Sequence, residues 1–228
     1  MDVQVSGGAR DGWQLFCYVP QIAWQENCYV AAVDGDCFLV DPGFDCEGVG
    51  AFLRERGWHL RCILLTHAHH DHVASVAALQ QAFPSVPAYL HPLDRRLLMH
   101  APLYAMRFAR RTCERPQDIR WLDETGAQEL AEAFGIHVLH TPGHTHGGVC
   151  YVCRDACFTG DTLLAGKLGR TDLPEGDRTA LEASVQRLLE AMPAGQTLFP
   201  GHHAPWTADE ARAWWQDQSI SHEEQRTF

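Results

Sequence analysis

Thr66-His67-Ala68-His69-His70-Asp71-His72 places four histidines and an aspartate within six consecutive positions, His67 to His72. Imidazole and carboxylate are zinc ligands, and they also accept iron or manganese. In an extended or turning segment, residues two apart point the same way, so His67 and His69 can share one metal. Asp71 and His72 follow and point to one side, where they can serve a second. An affinity tag would be the other source of such a run, but tags sit at chain ends and do not follow a buried strand.

The elements around the motif fit that chemistry. Cys62-Ile63-Leu64-Leu65 reads as a buried strand, and Val73 to Phe83 reads as one helix. The histidines therefore stand where a strand ends and a helix begins, the place where open α/β sheets bind ligands. The same junction recurs three times. Gly135 to Thr141 alternates as a strand and runs into Pro142-Gly143-His144-Thr145-His146. Cys157-Phe158-Thr159 ends at Gly160-Asp161-Thr162, and Leu198-Phe199 ends at Pro200-Gly201-His202-His203. Each of His144, Asp161 and His202 alone sits in what could be a simple turn. Their order and common placement make the set specific.

The rest of the chain supplies the frame. Gln14–Val19, Cys28–Val33 and Cys37–Val40 read as a three-stranded meander, with Asp34-Gly35 as a hairpin turn and Asp41-Pro42-Gly43 as its end. Val49 to Arg56 reads as a helix stopped by Gly57. Val86–Leu90 is a strand and Leu93–His100 a helix. Val149–Cys153 pairs with Cys157–Thr159 around Arg154-Asp155. Arg178–Ala191 is a helix, and Thr207 opens another that carries Trp214 and Trp215, which pack on the core or at a subunit contact. Ala101–Gln117 sets Arg107, Arg110, Arg111 and Arg115 among Tyr104, Met106 and Phe108. It reads either as a solvated helix face with an apolar stripe or as a lid offering an anion-binding arginine. Cys150-x-x-Cys153 with Cys157 is not a zinc site, because strand positions three apart face opposite sides and no second pair completes it.

Composition bounds the function. The 228 residues suit one domain spanning 1–228. A formal charge of −11 disfavours nucleic acid, which needs its phosphates neutralised. No apolar run approaches a membrane span of ~20 residues, so no membrane is expected. Met1 to Arg10 lacks a basic stretch followed by an apolar core, so no secretory leader is expected. Nine cysteines, an odd number, fit reduced thiols in a cytoplasmic protein better than a disulfide framework.

The histidine motif, with the three later junctions in this order, resembles the metallo-β-lactamase-fold hydrolase superfamily, most closely short, single-domain proteins similar to glyoxalase II (hydroxyacylglutathione hydrolase). The resemblance runs from about residue 14 to residue 206. It implies an α/β fold, a four-layer αβ/βα sandwich of two mixed β-sheets flanked by helices. It implies two divalent metal ions, zinc foremost, with iron or manganese as alternatives. One would be held by His67, His69 and His144, the other by Asp71, His72 and His202, with Asp161 bridging. Asp41 would brace the histidine loop without being a ligand. His70 falls at the variable position of the motif and is expected to point away. His140, His146 and His203 neighbour ligands and are expected at the surface.

The resemblance gives the catalytic work to Asp71, His67 and His69. Two metals about 3.5–4 Å apart lower the pKa of a shared water toward neutrality, so a hydroxide is the nucleophile. A thiolate leaves readily, since a thiol's pKa is only ~8.5, and thioesters suit the site. Gly166-Lys167-Leu168-Gly169-Arg170-Thr171-Asp172 resembles a Gly-Arg-Thr/Ser-Asp segment of short glyoxalase II-like proteins and of persulfide dioxygenases. It makes Arg170, with Lys167 behind it, the candidate for a substrate carboxylate. Only residues 206–228 follow Pro205, so the helical C-terminal domain of full-length glyoxalase II has no counterpart in this sequence. The expected partner is a small-molecule thioester or ester. The rival readings are a mononuclear-iron persulfide dioxygenase using His67, His144 and Asp161, a lactonase or other small-molecule metallohydrolase, and a binding protein with a vestigial site.

Overall fold

The structure, a computed structural model, describes residues 3–5, 12–20 and 25–226. Met1–Arg10, read above for a leader, lies outside the described residues apart from 3–5.

Seven strands form the first sheet in sequence order: β1 (Val3–Val5), β2 (Trp13–Tyr18), β3 (Cys28–Val33), β4 (Asp36–Val40), β5 (His59–Leu64), β6 (Ala88–Leu90) and β7 (Ile119–Trp121). The meander β2-β3-β4 is antiparallel, as its hairpin turn requires, and β4 through β7 run parallel. Helix α1 (Glu47–Glu55) supplies the crossover from β4 to β5. The motif then enters α2 (His70–Val73) and α3 (Val76–Ala82). The expected single helix over Val73–Phe83 is thus broken at Ala74-Ser75. Ser75 is buried and its backbone N–H donates to the carbonyl of Pro42 at 3.1 Å, which takes it out of the helical ladder. After β6, Pro92–Asp94 forms a 3₁₀ turn and α4 (Arg95–Tyr104) ends about one turn beyond the expected His100, with Pro102 inside it. A π-helical turn, Ala105–Ala109, closes it. Helix α5 (Glu124–Phe134) follows β7, and neither was read from the sequence.

The second sheet has the spatial order β14-β13-β10-β9-β8, from β8 (His137–His140), β9 (Val149–Cys153), β10 (Ala156–Gly160), β13 (Thr197–Pro200) and β14 (Trp206–Thr207). The short ribbon of β11 (Leu163–Leu164) and β12 (Lys167–Leu168) projects beyond β10. Helices α6 (Arg178–Ala191) and α7 (Ala208–Arg226) complete the chain.

Alternation of side chains explains the layering. Cys28, Val30 and Ala32 of β3 pack outward with residues of α1, α3 and α4. Tyr29 and Ala31 of the same strand face inward, where they meet Tyr151 and Phe158 of the second sheet. Phe158 is fully buried among Tyr29, Phe38 and Phe199, at ring separations of 5.3, 6.2 and 5.7 Å. The outer face of the second sheet packs Cys150, Cys157 and Leu198 on α6 and α7. Three apolar layers thus separate helices, sheet, sheet and helices, the expected sandwich of two mixed sheets. Cys150 and Cys153 fall in different layers, as expected for strand positions three apart. Trp214 and Trp215 pack against the outer layer, and the Trp215 indole donates to Gln186 on α6 at 2.8 Å. No helix among the described residues is long and apolar enough to cross a membrane.

Candidate metal centre

The strand ends converge at one edge of the sandwich. Tyr151 donates its hydroxyl to the carbonyl of Leu65 at 2.8 Å, and Val149 N–H reaches the carbonyl of Thr66 at 2.9 Å. Asn27 N–H donates to the Gly201 carbonyl, and Gly201 N–H to that of Gly160. These bonds draw together the four segments that carry His67–His72, His144, Asp161 and His202. Position 201 must be glycine for this approach, because a Cβ there would lie 2.5 Å from Asp161 Oδ1 and 2.6 Å from His72 Cε1.

Two triads result. Ligand atoms of His67, His69 and His144 lie within 4.8 Å of one another, and so do those of Asp71, His72 and His202. Asp161 stands between them, its carboxylate 3.6 Å from His144 Nε2 and 3.7 Å from both His72 Nε2 and His202 Nε2. All seven residues expected from the sequence are thus brought to one place.

The surrounding hydrogen bonds orient the rings. Asp41 is buried. Its Oδ1 accepts from Thr66 N–H at 2.7 Å, and its Oδ2 accepts from the Thr66 hydroxyl at 2.6 Å and from His72 Nδ1 at 3.0 Å. With its proton given to Asp41, the Thr66 oxygen accepts from His67 Nδ1 at 3.0 Å. His144 Nδ1 donates to the carbonyl of Arg170 at 2.8 Å. The network assigns a proton to Nδ1 in His67, His72 and His144, so Nε2 of each ring faces the site. Asp41, His67 and His72 also form a close group. With three hydrogen bonds on its two oxygens, Asp41 is a brace, as expected.

A cation fits the residues present. His67 Nε2, His72 Nε2 and Asp161 Oδ1 are buried without a hydrogen-bond partner, which is costly unless something binds them. His69 Nδ1 faces His144 Nε2 at 2.9 Å, an arrangement of acceptors that a shared cation satisfies. Electrostatics splits the site. Burial, with His144 close by, lowers the pKa of His69 to about 3, and burial and the neighbouring imidazoles hold that of His67 well below its usual value. Burial also opposes a charge on His72, but Asp161, Asp41 and Asp71 outweigh it and lift its pKa to about 9. Burial pushes the Asp71 carboxyl up, yet the His202 hydrogen bond and the imidazoles outweigh it and hold it below the usual range.

Some expectations need correction. His70 does not point away. It is buried, lines the cavity above the two triads, and packs between Phe44 and Phe108 at ring separations of 6.0 and 6.2 Å. It opens α2 instead of lying in an extended loop, which turns its ring inward. Arg170 and Lys167 both line the cavity, as the loop after β11 brings them there. The Arg170 guanidinium, however, is engaged by Asp172 through two bonds of 2.7 Å. His140 and His146 are exposed, and His203 is exposed at the cavity rim. Arg111 of the arginine-rich segment pairs with Asp45.

Asp94 escaped sequence reading. It is buried and accepts from Ala68 N–H at 3.0 Å, the Thr145 hydroxyl at 2.9 Å and Gly147 N–H at 2.7 Å. It thereby ties the histidine loop to the His144 loop. An aspartate after Pro92 gave no signal beyond a helix cap.

Comparison with known proteins agrees with this geometry. The sequence model of the Metallo-beta-lactamase superfamily matches residues 22–211. Hydroxyacylglutathione hydrolase GloC of Haemophilus influenzae is 31% identical over 187 residues, 81% of this chain and 88% of the relative. Probable metallo-hydrolase YqgX of Bacillus subtilis is 32% identical over 182 residues, covering 78% and 85%. Among solved structures, TTHA1623 in a di-iron-bound form superposes with a TM-score of 0.77 at 38% identity, covering 86% of this chain and 96% of that one.

Proposed function

The chain belongs to the metallo-β-lactamase superfamily, and on that footing we propose that it is a binuclear metal-dependent hydrolase cleaving small thioesters or related esters. The observation that carries this reading is Asp161 seated between the two triads, with its own Oδ1, His67 Nε2 and His72 Nε2 buried and without a hydrogen-bond partner. His67, His69 and His144 would hold one divalent ion, and Asp71, His72 and His202 the other. The nitrogen-and-oxygen donor set suits zinc, and manganese or iron as well. Bound there, such ions supply a water deprotonated near neutral pH and Lewis-acid polarisation of the carbonyl.

The protein's own residues do the rest. Asp41 and Thr66 hold the histidine tautomers, and Asp71 offers an oxygen that orients the attacking water. No protein nucleophile is needed. Cys17, the one thiol lining the cavity among the described residues, is pushed up to about 12 by burial and by Cys46, so it stays protonated at neutral pH. A departing thiolate, with a conjugate pKa of ~8.5, needs no dedicated acid. The similarity to proteins named hydroxyacylglutathione hydrolase and metallo-hydrolase supports a hydrolytic reaction. The nine free thiols fit a reducing compartment such as the cytoplasm.

The test is turnover of S-lactoylglutathione and simple acyl thioesters by metal-loaded protein, beside Asp161→Asn. Hydrolysis lost about a hundredfold or more in the variant supports the reading. Equal hydrolysis by both proteins overturns it.

A further inference from the structure

The cavity above the ligand cluster encloses about 1120 Å³, far more than an acetyl or lactoyl group requires. Its walls are largely hydrocarbon, from Val19, Tyr104, Phe108, Leu164, Leu168 and Pro205. Tyr104 and Phe108 lie with ring centres 5.9 Å apart, and Phe108 continues to the His70 ring. Among the described residues the exposed large apolar side chains are Leu93, on the 3₁₀ turn before α4, and Met99, Leu103, Met106 and Phe108, on α4 and its π turn. Phe108 is half exposed, at 52%, while also lining the cavity, so a ligand entering there would cover it.

The charges of the cavity argue in the same direction. The Arg170 guanidinium is already paired with Asp172. Lys167 is then the cavity-lining lysine or arginine that has no carboxylate partner among the described residues, and Glu175 shares the lining. A tripeptide with two carboxylates would meet a single available cation and an opposing carboxylate. A ligand with one polar end and one hydrocarbon end meets a complementary surface.

We propose that the substrate carries an extended hydrocarbon arm, a medium-chain acyl thioester or ester, with the arm along Tyr104, Phe108 and Leu168 and the carbonyl over the ligand cluster. This rests on the hydrolase reading above and names its substrate class. Each methylene withdrawn from water is worth about fourfold in binding, so burying about two of them gives a tenfold preference.

The experiment is a chain-length series of S-acyl-N-acetylcysteamine thioesters, acetyl to octanoyl, with metal-loaded protein. It is paired with calorimetric titration of the uncleavable S-ethyl and S-octyl thioethers. The expected result is kcat/KM rising about tenfold or more along the series, with S-octyl binding about tenfold or more tighter than S-ethyl. Phe108→Asp should cut the octanoyl-to-acetyl ratio about fivefold or more, and Phe108→Leu should keep it. No hydrolysis at any length, with the thioether preference intact, sinks the hydrolase reading and leaves the hydrocarbon arm standing. A series that is flat in turnover and in thioether binding overturns the hydrocarbon arm, however fast the turnover. S-lactoylglutathione outpacing the octanoyl thioester also overturns it.

Discussion

His144 Nδ1 lies 2.8 Å from the backbone carbonyl of Arg170, a residue 26 positions further along the chain. The residue singled out for its guanidinium thus touches the candidate metal centre through its main chain. This contact needs Gly169, where a Cβ would fall 1.8 Å from the Asp161 carbonyl oxygen and 3.1 Å from His144 Nδ1. Gly169→Ala should therefore push the segment off His144 and weaken metal binding about 10–100-fold. Arg170→Ala should leave metal affinity close to that of the parent protein, because the carbonyl remains. Titration with a competing metal indicator measures both, and equal losses in the two variants would refute the main-chain role.

Asp41 offers a second such test. Asp41→Asn replaces one oxygen with an NH₂ that cannot accept from the Thr66 hydroxyl or from His72. The expected loss is about 10–100-fold in metal affinity, with the ligands themselves untouched. Parent-like affinity would mean that the brace does not set the orientation of His72.

Asp94 holds two loops with three hydrogen bonds to one buried carboxylate. Asp94→Ala should cost about 2–4 kcal/mol of stability, since three donors lose their acceptor at once. Denaturant melts of metal-free protein read this directly, and a change within error would contradict the clamp.

The strand-end residues proposed as ligands were legible because each follows a short apolar run and turn residues, a local pattern that survives folding. The hairpin at Asp34-Gly35 and the bounds of α6 were equally plain. Helix α5 was missed although Asp123 caps it, accepting from Gly126 N–H, and Gly135 ends it at φ +64°. Its many acidic and small residues hid the apolar stripe. Strand β7 pairs only at the sheet edge and is three residues long, too short to show alternation. The helix break at Ser75 depends on a carbonyl 33 positions away, which no local pattern reveals. His70 was misjudged for the same reason, since its surroundings come from Phe44 and Phe108.

Protonation of the metal-free site predicts a stability maximum near pH 6.5. His72 has its pKa raised from 6.5 to about 9, so its contribution is complete below 6.5 and is lost as pH rises through about 9. His69 is lowered to about 3, so below pH 6.5 the unfolded chain takes up a proton that the folded one refuses, and stability falls. Asp71, held below its usual 3.8, adds a further loss in stronger acid. Metal binding must displace the His72 proton, so affinity should climb from pH 6.5 toward 9. Thermal melts of chelator-treated protein across pH 5–9 measure the first effect, and a monotonic rise would contradict it.

The most direct test of the account is metal content per chain in protein purified without added metal, for the parent, His69→Ala and His202→Ala, with thioester turnover and oxygen uptake on glutathione persulfide measured alongside. The account predicts close to two metals in the parent, close to one in each variant, thioester hydrolysis only in the parent and no oxygen uptake. One iron per chain, unchanged by His202→Ala and accompanied by oxygen consumption, would contradict it.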